Sequence, residues 1–204
     1  MEKETKRLGR GQMLLSILVM QGAIIALALL FRPWTGVDAL GSFALTPMAV
    51  IAGVAGAFFL FAAMLGARHL FPDIIKPLEK QVVDIFREGG IVFTWPIILA
   101  TGLAAGIGEE LFFRGALQVW MTEQWGLLAA LVGSNLFFAV LHPHSRAYMV
   151  LVFLIGLYLA ALFLWSGNIL VPIIAHALYD ILALKRIAVM MDEAERSGEV
   201  EADR

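Results

Sequence analysis

The sequence predicts an all-α fold, a polytopic bundle of about six transmembrane helices with one further amphipathic helix lying in the membrane interface. Three observations predict it. Hydrophobic residues make up 60% of the chain and charged residues 16%, where a soluble domain carries about 25% charged residues. Long uncharged runs of about the 20 residues needed to cross a bilayer recur along the 204-residue chain. Between two of these runs, the segment from Arg68 to Gly90 places charges and apolar residues on different helical faces.

The elements follow in order. Residues 1–11 are short and basic, with Lys3, Lys6, Arg7 and Arg10. Gln12–Phe31 is uncharged and longer than a signal-peptide core, and no small-residue cleavage site follows, so it reads as an anchor. Arg32–Leu45 is a loop punctuated by Pro33, Gly36 and Gly41. Thr46–Ala67 is a second span rich in Ala and Gly, residues that let helices approach closely in lipid. In Arg68–Gly90 the residues Ile74, Ile75, Leu78, Val82, Val83, Ile85 and Phe86 fall largely on one face. An interfacial helix and a helix packed on the bundle both fit that pattern. Trp95–Met121 is the third span, Thr122–Trp125 a tight turn, and Gly126–His142 the fourth span, which ends at His142-Pro143-His144. If the helix continues through Pro143, a kink is expected there. Ala147–Trp165 is the fifth span, Ser166-Gly167-Asn168 a turn, and Ile169–Leu184 the sixth, closed by Lys185-Arg186. Asp192–Arg204 is charged and apolar-poor, the pattern of a frayed tail. The expected organisation is residues 1–94 as an N-terminal two-span region with the amphipathic helix on its cytoplasmic side, 95–186 as a four-span core, and 187–204 as a charged C-terminal tail.

With six spans, Arg32 is the one basic residue of the outer loops, and Arg114 is intramembrane. Lys3, Lys6, Arg7, Arg10, Arg68, Lys76, Lys80, Arg87, Arg146, Lys185, Arg186, Arg196 and Arg204 all lie on the opposite side. This asymmetry puts both termini in the cytoplasm. The formal net charge of -2 argues against a nucleic-acid partner. The absence of cysteine removes disulfides, thiol nucleophiles and cysteine metal sites.

The candidate functional residues are the ionisable ones inside spans. A charge at mid-bilayer costs at least about 2.5–3.5 kcal/mol, so such groups face a protein interior or a wet cavity and mark function. Glu109, Glu110 and Arg114 lie in the third span, His142 ends the fourth, and His176 and Asp180 lie in the sixth. Glu110 and Arg114 are four apart and share a helical face, so they can pair. Glu109 is rotated by about 100° and points elsewhere, free to act as a general base. His176 and Asp180 also share a face. Each has a plainer reading: a structural ion pair for Glu110 with Arg114, an interfacial His142, a helix–helix hydrogen bond for His176. Packing alone does not require so many desolvated groups in three spans.

The series Glu109-Glu110-x-x-x-Arg114, Phe138-x-x-x-His142 and His176-x-x-x-Asp180, in that order on successive apolar segments, resembles the CAAX protease and bacteriocin-processing family, which includes the Rce1-type prenyl endopeptidases. The resemblance runs over roughly Trp95 to Arg186. It implies a membrane-embedded, glutamate-dependent endopeptidase of the kind that processes CAAX-box proteins. In that reading Glu109 activates water and His142 holds and polarises it. His176 and Asp180 sit where an oxyanion is stabilised, with Glu110, Arg114 and Phe138 in support. The family has Asn or Asp at position 180. An ionised Asp180 would repel an oxyanion, so it is expected to orient and charge His176.

No cofactor is expected. Zinc is the competing chemistry, with Glu109, His142 and His176 as three ligands, though no HExxH helix is present. The expected partners are the lipid bilayer and a peptide or protein substrate arriving from the membrane or the cytoplasmic side. The expected setting is a bacterial cell membrane. A non-catalytic scaffold or immunity-type protein of the same family, and a proton-coupled transporter, are the alternatives; no inverted repeat supports the last.

Overall fold

The computed structural model describes residues 10–142 and 145–196. Lys3, Lys6, Arg7, Pro143 with its expected kink, His144 and residues 197–204 lie outside them. The described residues are mostly helical, without strands, in seven principal helices: α1 (Arg10–Leu30), α2 (Pro47–Leu70), α3 (Pro72–Glu88), α4 (Trp95–Trp125), α5 (Leu127–Val140), α6 (Arg146–Ser166) and α7 (Leu170–Arg196). A single turn, Arg32–Thr35, follows α1.

The helix starts are chemically marked. The Thr46 hydroxyl accepts from Ala49 N at 3.1 Å and caps α2, whose first residue is Pro47. The Ser145 hydroxyl accepts from Tyr148 N at 3.2 Å and caps α6. Each satisfies an amide that has no intrahelical partner. Gly167, in the left-handed region at φ 61°, ends α6. The Asn168 side chain then accepts from Leu170 N and exchanges two hydrogen bonds with the Ala44 backbone, tying the α6–α7 turn to the loop before α2.

All six apolar segments expected as spans are helical, and the chain is built as an integral membrane protein. Four segments are long and apolar enough to cross a membrane: Leu14–Thr35, Pro47–Leu70, Trp95–Trp125 and Arg146–Ser166. The 14-residue α5 rises only about 21 Å against a hydrocarbon core of about 30 Å. The apolar half of α7 is interrupted by Asp180, Lys185 and Arg186. Large apolar side chains such as Leu18, Leu30, Phe59, Leu128 and Leu154 lie exposed on the outer faces, as lipid-facing residues do.

Three sequence expectations are corrected. Thr122–Trp125 is not a turn: α4 continues to Trp125, and the reversal falls on Gly126 at φ 82°, a backbone angle that suits glycine. The sixth segment does not end at Lys185-Arg186, and Asp192–Arg196 is not frayed. There α7 runs to Arg196 because Ile187 and Met191 are buried against Val83 of α3, with Phe86 and Phe93 alongside. The expected boundary at residue 187 therefore cuts a continuous helix. The helix α3 is packed on the bundle by Leu78 and Val83, while Ile74 stays exposed at its start. Glu79 holds it there, accepting from Arg68 Nε at 2.8 Å and from Arg186 Nε at 3.1 Å.

Glycines set how closely the inner helices approach. A Cβ on Gly106 of α4 would stand 2.6 Å from Ala177 N, and one on Gly53 of α2 would stand 2.6 Å from Ile174 Cβ. The N-terminal half of α7 is thus clamped between α2 and α4, and its Val171, Ala175, His176 and Ala177 are buried.

Candidate active site

Within α4, residues Leu111–Gln118 form a π-helical stretch directly after Glu109-Glu110. Such segments are rare and recur at functional sites. The stretch is almost wholly buried and carries Arg114 into the core.

Arg114 is 1% exposed and Glu110 is 0% exposed. Arg114 Nη1 donates to Glu110 Oε1 at 3.0 Å, and Nη2 donates to Asn135 Oδ1 at 3.1 Å and to the Gly156 carbonyl at 2.9 Å. Its guanidinium lies 4.9 Å from the centre of the Phe138 ring. Gly156 makes room for this, since a Cβ there would come within 2.5 Å of Asn135 Oδ1. Arg114 therefore joins α4, α5 and α6 at one buried point. A buried cation needs this full set of acceptors to offset its desolvation.

Glu110 has a second partner. His176 Nδ1 donates to the same Oε1 at 2.8 Å. The shortest contact of His176 is thus with Glu110, where the sequence spacing pairs it with Asp180. Asp180 Oδ2 is 3.6 Å and Glu109 Oε2 is 3.9 Å from the other nitrogen, Nε2. A carboxylate can only accept, so Nδ1 carries a proton and Nε2 is aimed between Glu109 and Asp180.

His142 stands just beyond α5, which ends at Val140. Its Nδ1 donates to the Phe138 carbonyl at 2.8 Å. A carbonyl also only accepts, so in the neutral imidazole Nε2 carries the lone pair. The Phe138 ring lies 4.8 Å from the His142 ring and 6.2 Å from that of His176, so Phe138 packs between the two histidines.

Glu109, His142, His176 and Asp180 all line one cavity of about 350 Å³. The side chain of Glu109 is 12% exposed and that of Asp180 26%. The rest of the wall is mainly apolar and comes from α1, α2, α3, α4, α6 and α7, including Met20, Met64, Leu78, Val82 and Tyr148. Glu110 and Arg114 lie behind the wall and hold it. Among the described residues, no group of three or more His, Asp or Glu side chains is placed to hold a metal ion together. Of the three residues that compete for zinc, only Glu109 and His176 have a contact between them, at 3.9 Å.

Two polar residues of this site were passed over in the sequence. Asn135 sits in the middle of an apolar helix and anchors Arg114. Gln21 of α1 donates from Nε2 to Glu109 Oε1 at 3.1 Å. Each carried one signal, a lone amide inside an uncharged run, which is weaker than a charge at the same depth.

Fold and site together define a polytopic helical membrane protein with a carboxylate–imidazole centre inside the bundle. Residues 91–182, from just before α4 into α7, match the family model for type II CAAX prenyl endopeptidase Rce1-like proteins. Neither curated proteins nor solved structures gave a match to the chain. The match contains Glu109, Glu110, Arg114, Phe138, His142, His176 and Asp180, while α1, α2 and α3 lie outside it.

Proposed function

We propose that the protein is a glutamate-dependent intramembrane endopeptidase that hydrolyses a peptide bond in a membrane-associated peptide or protein. One observation carries this reading: Glu109, His142, His176 and Asp180, from α4, the end of α5 and α7, share the wall of a single cavity. The site holds the parts that amide hydrolysis requires. A water molecule seated there can donate one hydrogen to Glu109 and the other to His142 Nε2, which exposes its oxygen for attack. Glu109 takes the proton as that oxygen bonds to the carbonyl carbon. It returns the proton to the amine as the C–N bond breaks.

His176 is the donor for the oxyanion. Its ring is fixed through Glu110, and its Nε2 faces the reacting volume. A fixed donor of this kind is worth about 2.7–4 kcal/mol in the transition state. Asp180 borders the same nitrogen and supports its protonated form. The family's activity on CAAX-type substrates favours a C-terminal substrate segment, and the mostly apolar wall suits apolar side chains. Access is from the end of the bundle where α3 lies, the cytoplasmic end in the topology that the basic-residue asymmetry favours. The chemistry assigned to Glu109 uses no metal and no other cofactor.

The test is cleavage of membrane peptides by purified protein in liposomes, with Glu109→Gln alongside. Loss of cleavage in the variant supports the reading. Equal cleavage by both proteins overturns it. A cellular phenotype indifferent to Glu109→Gln would point instead to the non-catalytic scaffold.

A further inference from the structure

Gln21 belongs to none of the motifs of the centre, yet it touches Glu109 directly. It lies 88 residues before Glu109, on a helix outside the family match. Among the described side chains of α1, two are buried, Gln21 and Ala28, and they lie seven apart on the stripe that faces α4. Ile24 and Ile25 are half-buried against the core, while Leu18, Val19, Met20 and Leu27 are exposed. An amide at the centre of the contact stripe of so apolar a helix is expensive unless it is paired.

Its pairing is with the proposed base. Gln21 is 4% exposed, and its Nε2 donates to Glu109 Oε1 at 3.1 Å. The amide orientation is determined, because a carboxylate has no proton to give and would repel the amide oxygen. With Oε1 held by α1, Oε2 is the oxygen directed toward His176 Nε2. Glycine at position 108 makes the arrangement possible: a Cβ there would come within 2.7 Å of Gln21 Oε1. Gln21 also lines the cavity beside Glu109.

We infer that Gln21 is a positioning residue for hydrolysis: it pins one oxygen of Glu109 so that the other faces the water, and α1 is thereby part of the working enzyme. This rests on the peptidase reading above. The competing role is a helix–helix hydrogen bond that only holds α1 in place. The two differ in what they move. A structural bond acts on the amount and stability of folded protein, and a positioning bond acts on kcat with the fold intact.

The test uses full-length protein in liposomes and a quenched-fluorescent membrane-peptide library. It compares wild type, Glu109→Gln, Gln21→Met, Gly108→Ala and the double variant Gln21→Met/Gly108→Ala. Gln21→Met keeps length and removes the donor. Gly108→Ala keeps Gln21 and fills the space its amide occupies. A hydrogen bond to a charged group predicts a fall in kcat of about 10- to 100-fold for Gln21→Met, with KM within about twofold and an unchanged unfolding temperature. Gly108→Ala should lower kcat in the same way, and the double variant should be no slower than Gln21→Met, since both act through one contact.

A kcat within about twofold of wild type in Gln21→Met overturns the inference. So does a double variant whose losses multiply, or a loss that follows the fraction of folded protein. If Glu109→Gln cleaves as well as wild type, the peptidase reading fails and the positioning role fails with it. If no peptide of the library is cut, the contact is read from the Gln21 side-chain amide signal in 15N-glutamine-labelled protein. A shift of that signal in Glu109→Gln supports the placement, and an unmoved signal overturns it.

Discussion

Glu110 Oε1 receives two donors at once, His176 Nδ1 at 2.8 Å and Arg114 Nη1 at 3.0 Å. One buried oxygen therefore connects the imidazole of the reacting volume to the cation that fastens α4 to α5 and α6. The residue that looked like half of a plain i,i+4 ion pair is the link between framework and site.

Glu110→Gln is accordingly expected to damage both stability and activity. It leaves Arg114 as a buried charge without its countercharge, and breaking such a pair costs about 3–5 kcal/mol. Thermal unfolding in detergent should fall clearly. In the combined change Glu110→Leu with Arg114→Met, the stability should largely return, because two apolar side chains carry no desolvation cost. Cleavage should stay absent, because His176 has lost its anchor. Recovered cleavage in that double variant would show that the Glu110 contact is not needed.

Glu109→Gln is expected to lower kcat by about 10²–10⁴-fold, the range for losing a general base. Its unfolding temperature should change little, since the amide can keep a contact with Gln21. Single-turnover kinetics in liposomes gives the number.

Asp180→Asn is expected to keep substantial activity. Asp180 sits 3.6 Å from His176 Nε2, beyond a direct hydrogen bond, and the ring is already held from its other side. Complete loss, equal to that in Glu109→Gln, would mean that Asp180 takes part in proton transfer.

Gly106→Leu is expected to uncouple α4 from α7. Even a Cβ at Gly106 would stand 2.6 Å from the Ala177 backbone nitrogen, and backbone cannot step aside as a side chain does. Overpacking of this kind costs about 1–3 kcal/mol or more. His176 is next to Ala177, so cleavage should fall together with the unfolding temperature.

Metal analysis of purified protein should find zinc far below one equivalent, and a chelator such as EDTA should leave the cleavage rate unchanged. Stoichiometric zinc with chelator-sensitive cleavage would replace the glutamate mechanism with a metal-bound one.

Much of the architecture was legible in the sequence because lipid imposes simple rules. Uncharged runs near 20 residues become helices, since in hydrocarbon every backbone group must find its partner within the segment. The ionisable residues worth watching were legible for the same reason: a charge is too costly to leave facing acyl chains. What stayed hidden concerns ends and partners. The extension of α7 past Arg186 depends on Ile187 and Met191 meeting Val83, a contact between segments about a hundred residues apart. Local composition there reads only as a charged tail.

The sequence by itself determined that this is an all-helical membrane protein whose apolar segments carry Glu109, Glu110, Arg114, His176 and Asp180, with His142 at the end of one, because hydropathy and the cost of buried charge are properties of single residues and short windows. The tertiary structure decided which of them touch. It gave His176 to Glu110 rather than to its helical neighbour Asp180, and it brought Gln21 from the outermost helix onto Glu109. A hydrogen bond depends on where two helix axes cross and how they are rotated. Those are set by the close approaches at Gly53, Gly106 and Gly108, and no spacing within one helix reports them.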